Sequence, residues 1–423
     1  MENQKFSWRL ALGALGPALL VAACNLGPGS VVTASSYGAK YGFGSLWIIV
    51  LSCFFAYFYQ EPAMRIANKD NTADDTVLLG IRNRLGKGWA IAVWLIILTG
   101  SLTFQVGNMV GACMALEYFM PQIPSLAWAI IIGAIGLTLG MMGSYGRVEK
   151  VIKVFIFGLV FCFIVCAVVS KPDAGQIMRE GFTFKIPGND YWTAMALLAT
   201  SVSFHVAVGY SSLLKKKRKE QAASGKGSNN AMSRSLRMAY NRVDLIVGIV
   251  ITGVVTAAIV ICAGTTLHPL GVTVSNAAEL ATSLEPLLGP AAGVVFSIGM
   301  FAAAFSPIIY HVTIQPYYVH EAFGKEVDLK DTMSRVIMVI TVVVPIAILA
   351  VFGGTPTELI VSVQALTGLA FPLIVLVVWI LANNKEFMGD MRNKVWQNVA
   401  YGVIFIGTSF MAIRTLLSIT GKL

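Results

Sequence analysis

The chain has 423 residues, of which 56% are hydrophobic and only 12% are charged, and its mean hydropathy is +0.73. An ordinary soluble domain carries about 25% charged residues, so this composition excludes a single soluble core, a disordered tail protein and a disulfide-stapled secreted scaffold. Long apolar runs recur from Phe6 onwards, and many reach the ~20 residues with which a helix crosses a bilayer. The sequence therefore predicts an all-α polytopic membrane protein.

Hydropathy, with breaks at Gly, Pro and charged residues, predicts about eleven membrane spans. Their predicted limits in chain order are 9–37, 44–64, 89–118, 125–143, 151–170, 191–214, 243–264, 288–319, 334–352, 357–382 and 396–419. We expect one transmembrane domain, with a first repeat at about 9–170, a second at about 191–382 and an additional span at about 396–419. The hydrophilic stretch 215–242 is rich in Gly, Ser and Asn, which is typical of a loop between two halves.

Positive charge is distributed unevenly between the two sides of the predicted bundle. If the N-terminus is cytoplasmic, most of the 31 Lys and Arg residues fall in inside segments. This bias predicts a plasma-membrane protein with a cytoplasmic N-terminus and an external C-terminus, and it accounts for most of the net charge of +10. The run KKKRK at 215–219 lies in an inside segment, so we expect a cytoplasmic loop that can also touch anionic lipid of the bilayer and predict no nucleic-acid partner.

Two predicted spans contain interruptions at matching places in the two halves. Span one carries NLGPGS at 25–30, and span six carries ATSVSFH at 199–205. Inside a bilayer, an unwound backbone is tolerated only where it lines a cavity or is buried in protein. Broken helices at equivalent positions therefore predict an inverted-repeat transporter of five spans plus five, with its site at the midplane. The alternative is that Gly27, Pro28 and Gly29 merely kink one packed helix.

Three segments resemble one family of transporters. The stretch GPALLVAACNLGPGSVVTASSYGAKYGFGSLW at 16–47 resembles the first span of the Nramp divalent-metal transporters, with GPGS where that family has DPGN. FSIGMFAAAFSPII at 296–309 is similar to the family's eighth span, and VQALTGLAFPLIVLVVWILANNKEFMGDMRNKV at 363–395 to its tenth span and the loop that follows. The resemblance runs from about residue 12 to 395 and implies a LeuT-type fold that works by alternating access.

The chain departs from this family at the residues that would bind the metal. Family members use the Asp and Asn of DPGN, and a Met and a backbone carbonyl of the sixth-span motif A-x-x-M-P-H. At the matching positions this chain has residues without a carboxylate or thioether: Gly27, Ser30, Thr200 and Ser203. His205 matches the His of that motif, and Gln364 matches a tenth-span Gln that approaches the metal. The acidic proton-path positions of the family's third span correspond to Ser101 and Phe104.

The acidic residues lead to the same conclusion without the resemblance. Every one of the 21 Asp and Glu residues lies in a loop or near the end of a predicted span. A divalent ion stripped of water needs carboxylate oxygen, sulfur or imidazole, whereas the two breaks offer hydroxyls, carbonyls and one His. We therefore expect that the family's transition-metal site is lost and predict no metal ligands.

Polar residues inside the spans are the candidates for the transport site. We expect substrate to be bound around the two breaks, by Asn25, Gly27, Gly29, Ser30, Thr200, Ser203, His205 and Gln364. We expect the pathway or the coupling of transport to use Ser101, Gln105, Asn108 and His311. For any one hydroxyl the alternative is a hydrogen bond between helices. His205 lies beside a break, and an ionisable group at that depth indicates function by default, whereas His311 is expected to be structural or to line the pathway.

Three functions remain open. The first is a secondary transporter rebuilt for a small organic solute, a carboxylate held by the amides near Gly29 and Ser30 at the positive end of the half-helix. The second is a divalent-cation transporter of altered selectivity, for example for largely hydrated Mg²⁺. The third is a channel or a non-transporting receptor. Because no H-E-x-x-H, G-x-S-x-G or intramembrane Asp pair is present, the sequence predicts neither an enzyme nor a cofactor.

Overall fold

The structure, a computed structural model, describes residues 7, 16–44, 46–69, 76–142, 161, 163–223, 233–272, 274, 277–282, 285, 289–352 and 357–419. Within those residues it is helical apart from short connections and contains no strand. The α-helices in chain order are α1 (Pro17–Asn25), α2 (Pro28–Tyr41), α3 (Trp47–Ala67), α4 (Val77–Leu85), α5 (Lys87–Glu117), α6 (Ser125–Met141), α7 (Ala174–Gly181), α8 (Tyr191–Val202), α9 (Phe204–Ala223), α10 (Arg234–Thr266), α11 (Ala277–Thr282), α12 (Ala292–Phe323), α13 (Thr332–Phe352), α14 (Thr357–Gly368), α15 (Phe371–Asn383), α16 (Lys385–Met388) and α17 (Val395–Ile419).

Long apolar helices dominate the fold, as the composition predicts. Six described segments are long and apolar enough to cross a bilayer, namely Lys87–Glu117, Arg234–Leu270, Gly289–Phe323, Thr332–Phe352, Thr357–Asn383 and Val395–Ser418. Two shorter apolar helices, α6 and α8, accompany them. The prediction of an all-α polytopic membrane protein is confirmed.

The predicted span limits agree with the helices to within a few residues for most of the chain. Spans six and seven are longer than predicted, because α9 extends to Ala223 and α10 begins at Arg234. The stretch 215–242, predicted to be a loop, is therefore helical over 215–223 and 234–242, and 224–232 lie outside the described residues. Most of span five, predicted at 151–170, lies outside the described residues, although residues 163–169 are helical. Both predicted breaks are present, between α1 and α2 and between α8 and α9.

A third break, which the sequence analysis does not predict, interrupts span ten. The span predicted as one helix at 357–382 consists of α14 and α15, separated by Leu369 and Ala370. Pro372, in the first turn of α15, has no N–H to donate to the Gly368 carbonyl one turn earlier. The helix is therefore interrupted just before this proline.

The broken helices lie at the centre of the bundle. The most extensive helix contact is between α5 and α12, and α10 packs against α2 and α3 while α8 packs against α14. Small residues also allow α5 to approach α2 closely: an ideal Cβ on Gly111 of α5 would overlap the Pro28 ring at the start of α2. The two breaks in spans one and six are thereby enclosed by α5, α12 and α14.

One end of the bundle, here called the basic face, is held together by five arginines: Arg65, Arg82, Arg218, Arg234 and Arg237. Arg65 pairs with Glu61 at 2.8 Å, with both side chains about 5% exposed or less, and also donates to the Met391 carbonyl and to Asn393. Arg218 of α9 donates to the Ala67 carbonyl at 2.6 Å. These bonds fix the end of α3 to α9 and to the segment before α17.

The opposite end is closed by one carboxylate, so we call it the Asp190 face. Asp190 accepts hydrogen bonds from Lys40 at 2.8 Å and from the Tyr41 hydroxyl at 2.7 Å, and it also caps α8 through the Thr193 amide. Burial opposes ionisation of Asp190, but the bonds from Lys40, Thr193 and Tyr41 outweigh it and lower its pKa to about 2. The end of α2 is thus tied to the start of α8 by an ionised carboxylate.

Candidate functional site

The break in span one is produced by Gly27 and Pro28. Gly27 is extended (φ −69°, ψ 177°), and Pro28 opens α2 at a position where its missing N–H is tolerated. The Ser30 amide donates to the Gly27 carbonyl at 3.0 Å, and the Ser30 hydroxyl donates to the Asn25 carbonyl. The Ser30 amide, which the sequence analysis expects to hold a carboxylate, is thus engaged within the turn, as is the Ser30 hydroxyl.

The break in span six is a single residue in the left-handed conformation. Ser203 has φ 38° and ψ 70°, its amide donates to the Ala199 carbonyl at 3.0 Å, and its hydroxyl donates to the Thr200 carbonyl at 3.3 Å. The hydroxyl of Thr200 likewise donates to Leu197 within the same helix, at 3.0 Å. The hydroxyls of these two predicted ligands therefore both donate to backbone carbonyls within α8.

Two carboxamides fill the space beside the first break. An ideal Cβ on Gly29 would overlap Gln364 Nε2, and one on Gly27 would lie only 2.8 Å from Asn108 Oδ1. Asn108 donates to Gln105 at 3.2 Å, and Gln105 donates to the Ile308 carbonyl at 3.1 Å. Neither polar atom of Gln364 has a hydrogen-bond partner among the described residues, nor does Asn108 Oδ1. The structure thus brings together Gly27, Gly29, Asn108 and Gln364.

A second group, which we call the histidine cluster, consists of His205, His311 and Phe104. The two imidazole centroids lie 5.3 Å apart, and the Phe104 ring lies 5.1 Å from His205 and 6.0 Å from His311. All three side chains are fully buried, as is Ser101 of α5, and in the described part of the chain neither imidazole nor the Ser101 hydroxyl has a hydrogen-bond partner. The His311 ring therefore packs beside the His205 ring, a contact that the sequence analysis does not predict.

The histidine cluster and the carboxamides lie at different depths along α5. An ideal Cβ on Gly100 would be 3.5 Å from His205 Nδ1, and one on Gly107 would be 3.6 Å from Gln364 Nε2. Seven helical residues correspond to ~10 Å along the axis. Because α5 starts near the basic face, the histidines lie closer to that face than Gln364 does.

Asn25 lies apart from both groups. It lines a cavity of about 10 Å³ between α1, α3, α8 and α10, together with Gln60, Ser201 and Thr252. A volume of this size holds about one water molecule. The predicted binding set is therefore divided between this cavity, the carboxamides and the histidine cluster.

The site is closed and lacks a cluster of metal ligands. Its polar side chains are at most 2% exposed, namely Asn25, Ser30, Ser101, Gln105, Asn108, Thr200, Ser203, His205, His311 and Gln364. Over the described residues there is no group of three or more His, Cys, Asp or Glu side chains placed to hold a metal ion. The polar groups at the centre of the site are therefore mainly imidazoles and carboxamides.

Discontinuous helices that meet at the centre of a multi-pass bundle and enclose buried polar groups define a transporter of the LeuT type. The chain belongs to the Nramp family: the family model "Natural resistance-associated macrophage protein-like" matches residues 18–418. The resemblance stated from the sequence is confirmed, and with it the assignment as a transporter and not an enzyme.

The relatives and the structural neighbours agree with this family. The divalent metal cation transporter MntH of Bacillus subtilis is 25% identical over 415 residues, covering 96% of this chain and 92% of the relative. MntH of Caldanaerobacter subterraneus is 24% identical over 386 residues, covering 90% and 86%. A manganese transporter of Eremococcus coleocola superposes with a TM-score of 0.72 at 18% identity over 98% of this chain and 87% of that one. MhsT in complex with L-phenylalanine gives 0.60 at 16% identity over 98% and 100%, and the predicted LeuT-type fold is confirmed.

Proposed function

We propose that this Nramp-family transporter works by alternating access and carries a small organic solute with a carboxylate group. The observation that supports the proposal is the character of the groups left unpartnered at the closed centre. Gln364, His205 and His311 have polar nitrogens without partners among the described residues. Carboxamide and imidazole N–H groups donate to carboxylates, and the positions matching the family's metal ligands hold no acidic side chain to repel one.

The solute would not be held in the way that the sequence alone predicts. The Ser30 amide and hydroxyl are engaged with the carbonyls of Gly27 and Asn25, so they contribute no donors. The donor to the carboxylate would come from Gln364, beside the start of α2, which supplies the positive end of its helix dipole. The histidine cluster, ~10 Å away along α5, would meet only the far end of an extended solute. In this arrangement Gly29 contributes space for Gln364 and not a ligand.

We place the basic face in the cytoplasm and the Asp190 face outside the plasma membrane. The supporting observation is that the arginines of the basic face gather at one end, as the excess of positive charge on cytoplasmic segments requires. This orientation puts the N-terminus inside and the C-terminus outside. A cysteine introduced at the exposed Lys40 would then be labelled by an impermeant maleimide in intact cells, whereas one at the exposed Lys325 would be labelled only after lysis.

A divalent cation is the second candidate substrate. Both MntH relatives are named as divalent metal cation transporters. The oxygens of Asn25, Asn108 and Gln364, which have no partner in the described part of the protein, are neutral ligands of the kind that a largely hydrated Mg²⁺ accepts. Against this candidate, the polar side chains that the structure describes around the two breaks include no carboxylate to balance a divalent charge at this depth.

Isothermal titration of the purified protein separates the two candidates. Mn²⁺, Mg²⁺ and a panel of small mono- and dicarboxylates would each be titrated into wild type, Gln364→Ala and the control Gln176→Ala, whose side chain bonds Glu180 within the short helix α7. We expect a saturable isotherm for at least one carboxylate that Gln364→Ala abolishes and Gln176→Ala preserves, with no isotherm for Mn²⁺. Saturable Mg²⁺ or Mn²⁺ binding with no carboxylate binding would overturn the proposal in favour of the cation.

A further inference from the structure

Two buried cysteines meet between span five and α10. The sulfur atoms of Cys166 and Cys262 lie 3.1 Å apart, although the two residues are 96 positions apart in the sequence. Both side chains are fully buried. The two sulfur atoms need to approach each other by only about 1 Å to reach the ~2.05 Å length of a disulfide bond. The structure therefore places them where such a bond can form.

Other cysteines of the protein contact groups of a different kind. The Cys113 thiol donates to the Ser125 carbonyl at 3.4 Å, and the Cys53 thiol donates to the Ile249 carbonyl at 3.9 Å. Cys113, like Cys166 and Cys262, is fully buried. Burial in an apolar helix by itself therefore does not bring two thiols together.

The end of α10 that carries Cys262 is held in place by α2. An ideal Cβ on Gly38 of α2 would lie 2.5 Å from the Val260 carbonyl oxygen, so the two helices are in direct contact there. Just beyond α10, the His268 imidazole lies 2.9 Å from the Ala39 carbonyl oxygen. The backbone at Cys262 is thereby fixed, and close packing around the buried thiol leaves it little room to turn away from span five.

The cysteine pair lies near the Asp190 face. Cys262 is four residues before the end of α10, and Cys166 is three residues before the end of the helix in span five. Lys40, which pairs with Asp190, follows the residue that His268 contacts. In the proposed orientation this face lies outside the plasma membrane, where glutathione and thioredoxin do not keep thiols reduced. The compartment rests on that orientation, whereas the contact between the thiols does not.

We propose that Cys166 and Cys262 form a structural disulfide that joins span five to α10. The oxidant is a small disulfide, RSSR, of which oxidised glutathione is an example. The thiolate of one cysteine attacks RSSR and releases one RSH, and the thiolate of the other then attacks the mixed disulfide and releases the second RSH. Two cysteine thiols are oxidised, one RSSR is reduced, and the two protons that the cysteines lose end on the two RSH molecules.

Burial determines when this bond forms and how long it persists. Because neither side chain is exposed, a small disulfide reaches the thiols during folding or when the end of span five opens locally. Once the helices have closed over the bond, the same burial protects it from reductants. The pair therefore acts as a lasting cross-link and not as a rapidly exchanging thiol site.

The cross-link would close a loop that contains the second break. Residues 166–262 include α7, α8 and α9, with Ser203 between the last two helices. Closing so long a loop removes much of the conformational freedom of the unfolded chain, so we expect the bond to stabilise the folded protein. It would also hold span five against the end of α10 that packs on α2.

Peptide mapping of the full-length protein tests the proposal. Protein purified without reductant would be incubated with excess oxidised glutathione, denatured, alkylated with N-ethylmaleimide and digested. We expect mass spectrometry to find Cys166 linked to Cys262 in most molecules, and dithiothreitol added after denaturation to remove the link. Cys162, which lies outside the described residues, is four positions before Cys166, so fragmentation between the two assigns the bond. The matched control Cys162→Ser should retain the link.

Two results of the map would overturn the proposal. One is alkylation of both Cys166 and Cys262 after the incubation with oxidised glutathione. The other is a link from Cys262 to Cys162 in place of Cys166.

Thermal unfolding separates a cross-link from the packing of two thiols. Cys166→Ala and Cys262→Ala should each lower the midpoint of the oxidised protein by about 3 °C or more. The double variant should melt close to the lower of the two single variants, because loss of either sulfur already removes the bond. A loss in the double variant equal to the sum of the single losses would overturn the structural role. Neither experiment involves a solute, so failure of the carboxylate titration leaves both results unaffected.

Discussion

The carboxamide of Gln364 occupies the place that a side chain on Gly29 would take. An ideal Cβ on Gly29 would overlap Gln364 Nε2, and neither polar atom of this carboxamide has a hydrogen-bond partner among the described residues. Helices α2 and α14 therefore approach so closely because position 29 lacks a side chain. Glycine here serves proximity, since no positive φ requires it.

Replacing Gly29 with alanine should displace Gln364 and weaken solute binding. Overpacking of this kind costs about 1–3 kcal/mol, equivalent to roughly 5- to 150-fold in affinity if it falls on the bound state. Gly88→Ala is the control, because nothing lies within 4 Å of an ideal Cβ at that position. Titration with the carboxylate identified above measures the effect, and unchanged affinity in Gly29→Ala would contradict the role of Gln364.

Replacing Gly27 with aspartate should abolish the binding of a carboxylate solute. An ideal Cβ on Gly27 lies 2.8 Å from Asn108 Oδ1, so the substitution needs Asn108→Gly alongside it. Like unit charges 4 Å apart repel by about 4 kcal/mol at an effective dielectric constant near 20. Gly27→Asn with Asn108→Gly is the neutral control of equal size. Equal carboxylate affinity in the Asp and Asn versions would favour the cation candidate.

Relief of backbone strain at the second break should stabilise the protein. Ser203 has φ 38°, a conformation that costs an L-residue about 1–2 kcal/mol relative to glycine. We expect Ser203→Gly to raise the thermal midpoint in detergent and Ser203→Val, with its β-branched side chain, to lower it. A Ser203→Gly variant that melts well below wild type would show that the Ser203 hydroxyl bond to Thr200 outweighs the strain.

The bonds from Lys40 and Tyr41 to the Asp190 carboxylate should persist at every physiological pH. The pKa of Asp190 is lowered to about 2, below its unfolded value of about 3.9, so its contribution to stability is complete above pH ~4 and is lost as the pH falls toward ~2. The difference in thermal midpoint between wild type and Asp190→Asn should stay constant from pH 8 to 5 and shrink below ~4. A difference that already shrinks between pH 8 and 5 would contradict this assignment.

Breaking the buried ion pair at the basic face should be severe. Arg65→Ala leaves the Glu61 carboxylate 3% exposed and without its arginine, which costs about 3–5 kcal/mol. Arg65→Met combined with Glu61→Leu should recover most of that loss, because no buried charge then remains. Arg84→Ala breaks the exposed pair with Glu386 and should change stability by less than about 1 kcal/mol. Equal losses in Arg65→Ala and Arg84→Ala, measured by thermal unfolding, would contradict this account.

The bilayer explains why most of the fold is predictable from the sequence. A span requires a long apolar run, and NLGPGS and ATSVSFH interrupt such runs visibly. The break at Leu369 escapes prediction because its signal is a proline, Pro372, and prolines also lie inside the continuous helices α12 and α13. The division of the chain into two repeats remains a prediction.

The candidate site is less predictable, since it depends on contacts between distant residues. His205 and His311 are 106 residues apart, so their pairing follows from the packing of α9 against α12, which no local pattern records. The hydrogen bond from the Ser30 amide to the Gly27 carbonyl likewise depends on the local geometry of the turn. A visible signal was present in α12, where His311, Gln315 and Tyr318 recur at helical spacing in an apolar span.

Because the second break lies at Ser203, a rotation of the backbone there moves the whole of α9. This helix starts directly after Ser203 and runs for 20 residues, which corresponds to roughly 30 Å. A rotation of about 10° at Ser203 would therefore displace its far end by about 5 Å, more than the length of a hydrogen bond. Arg218 lies near that end and holds the Ala67 carbonyl. A rotation of this size would thus already break the Arg218–Ala67 hydrogen bond that joins α9 to the end of α3 at the basic face.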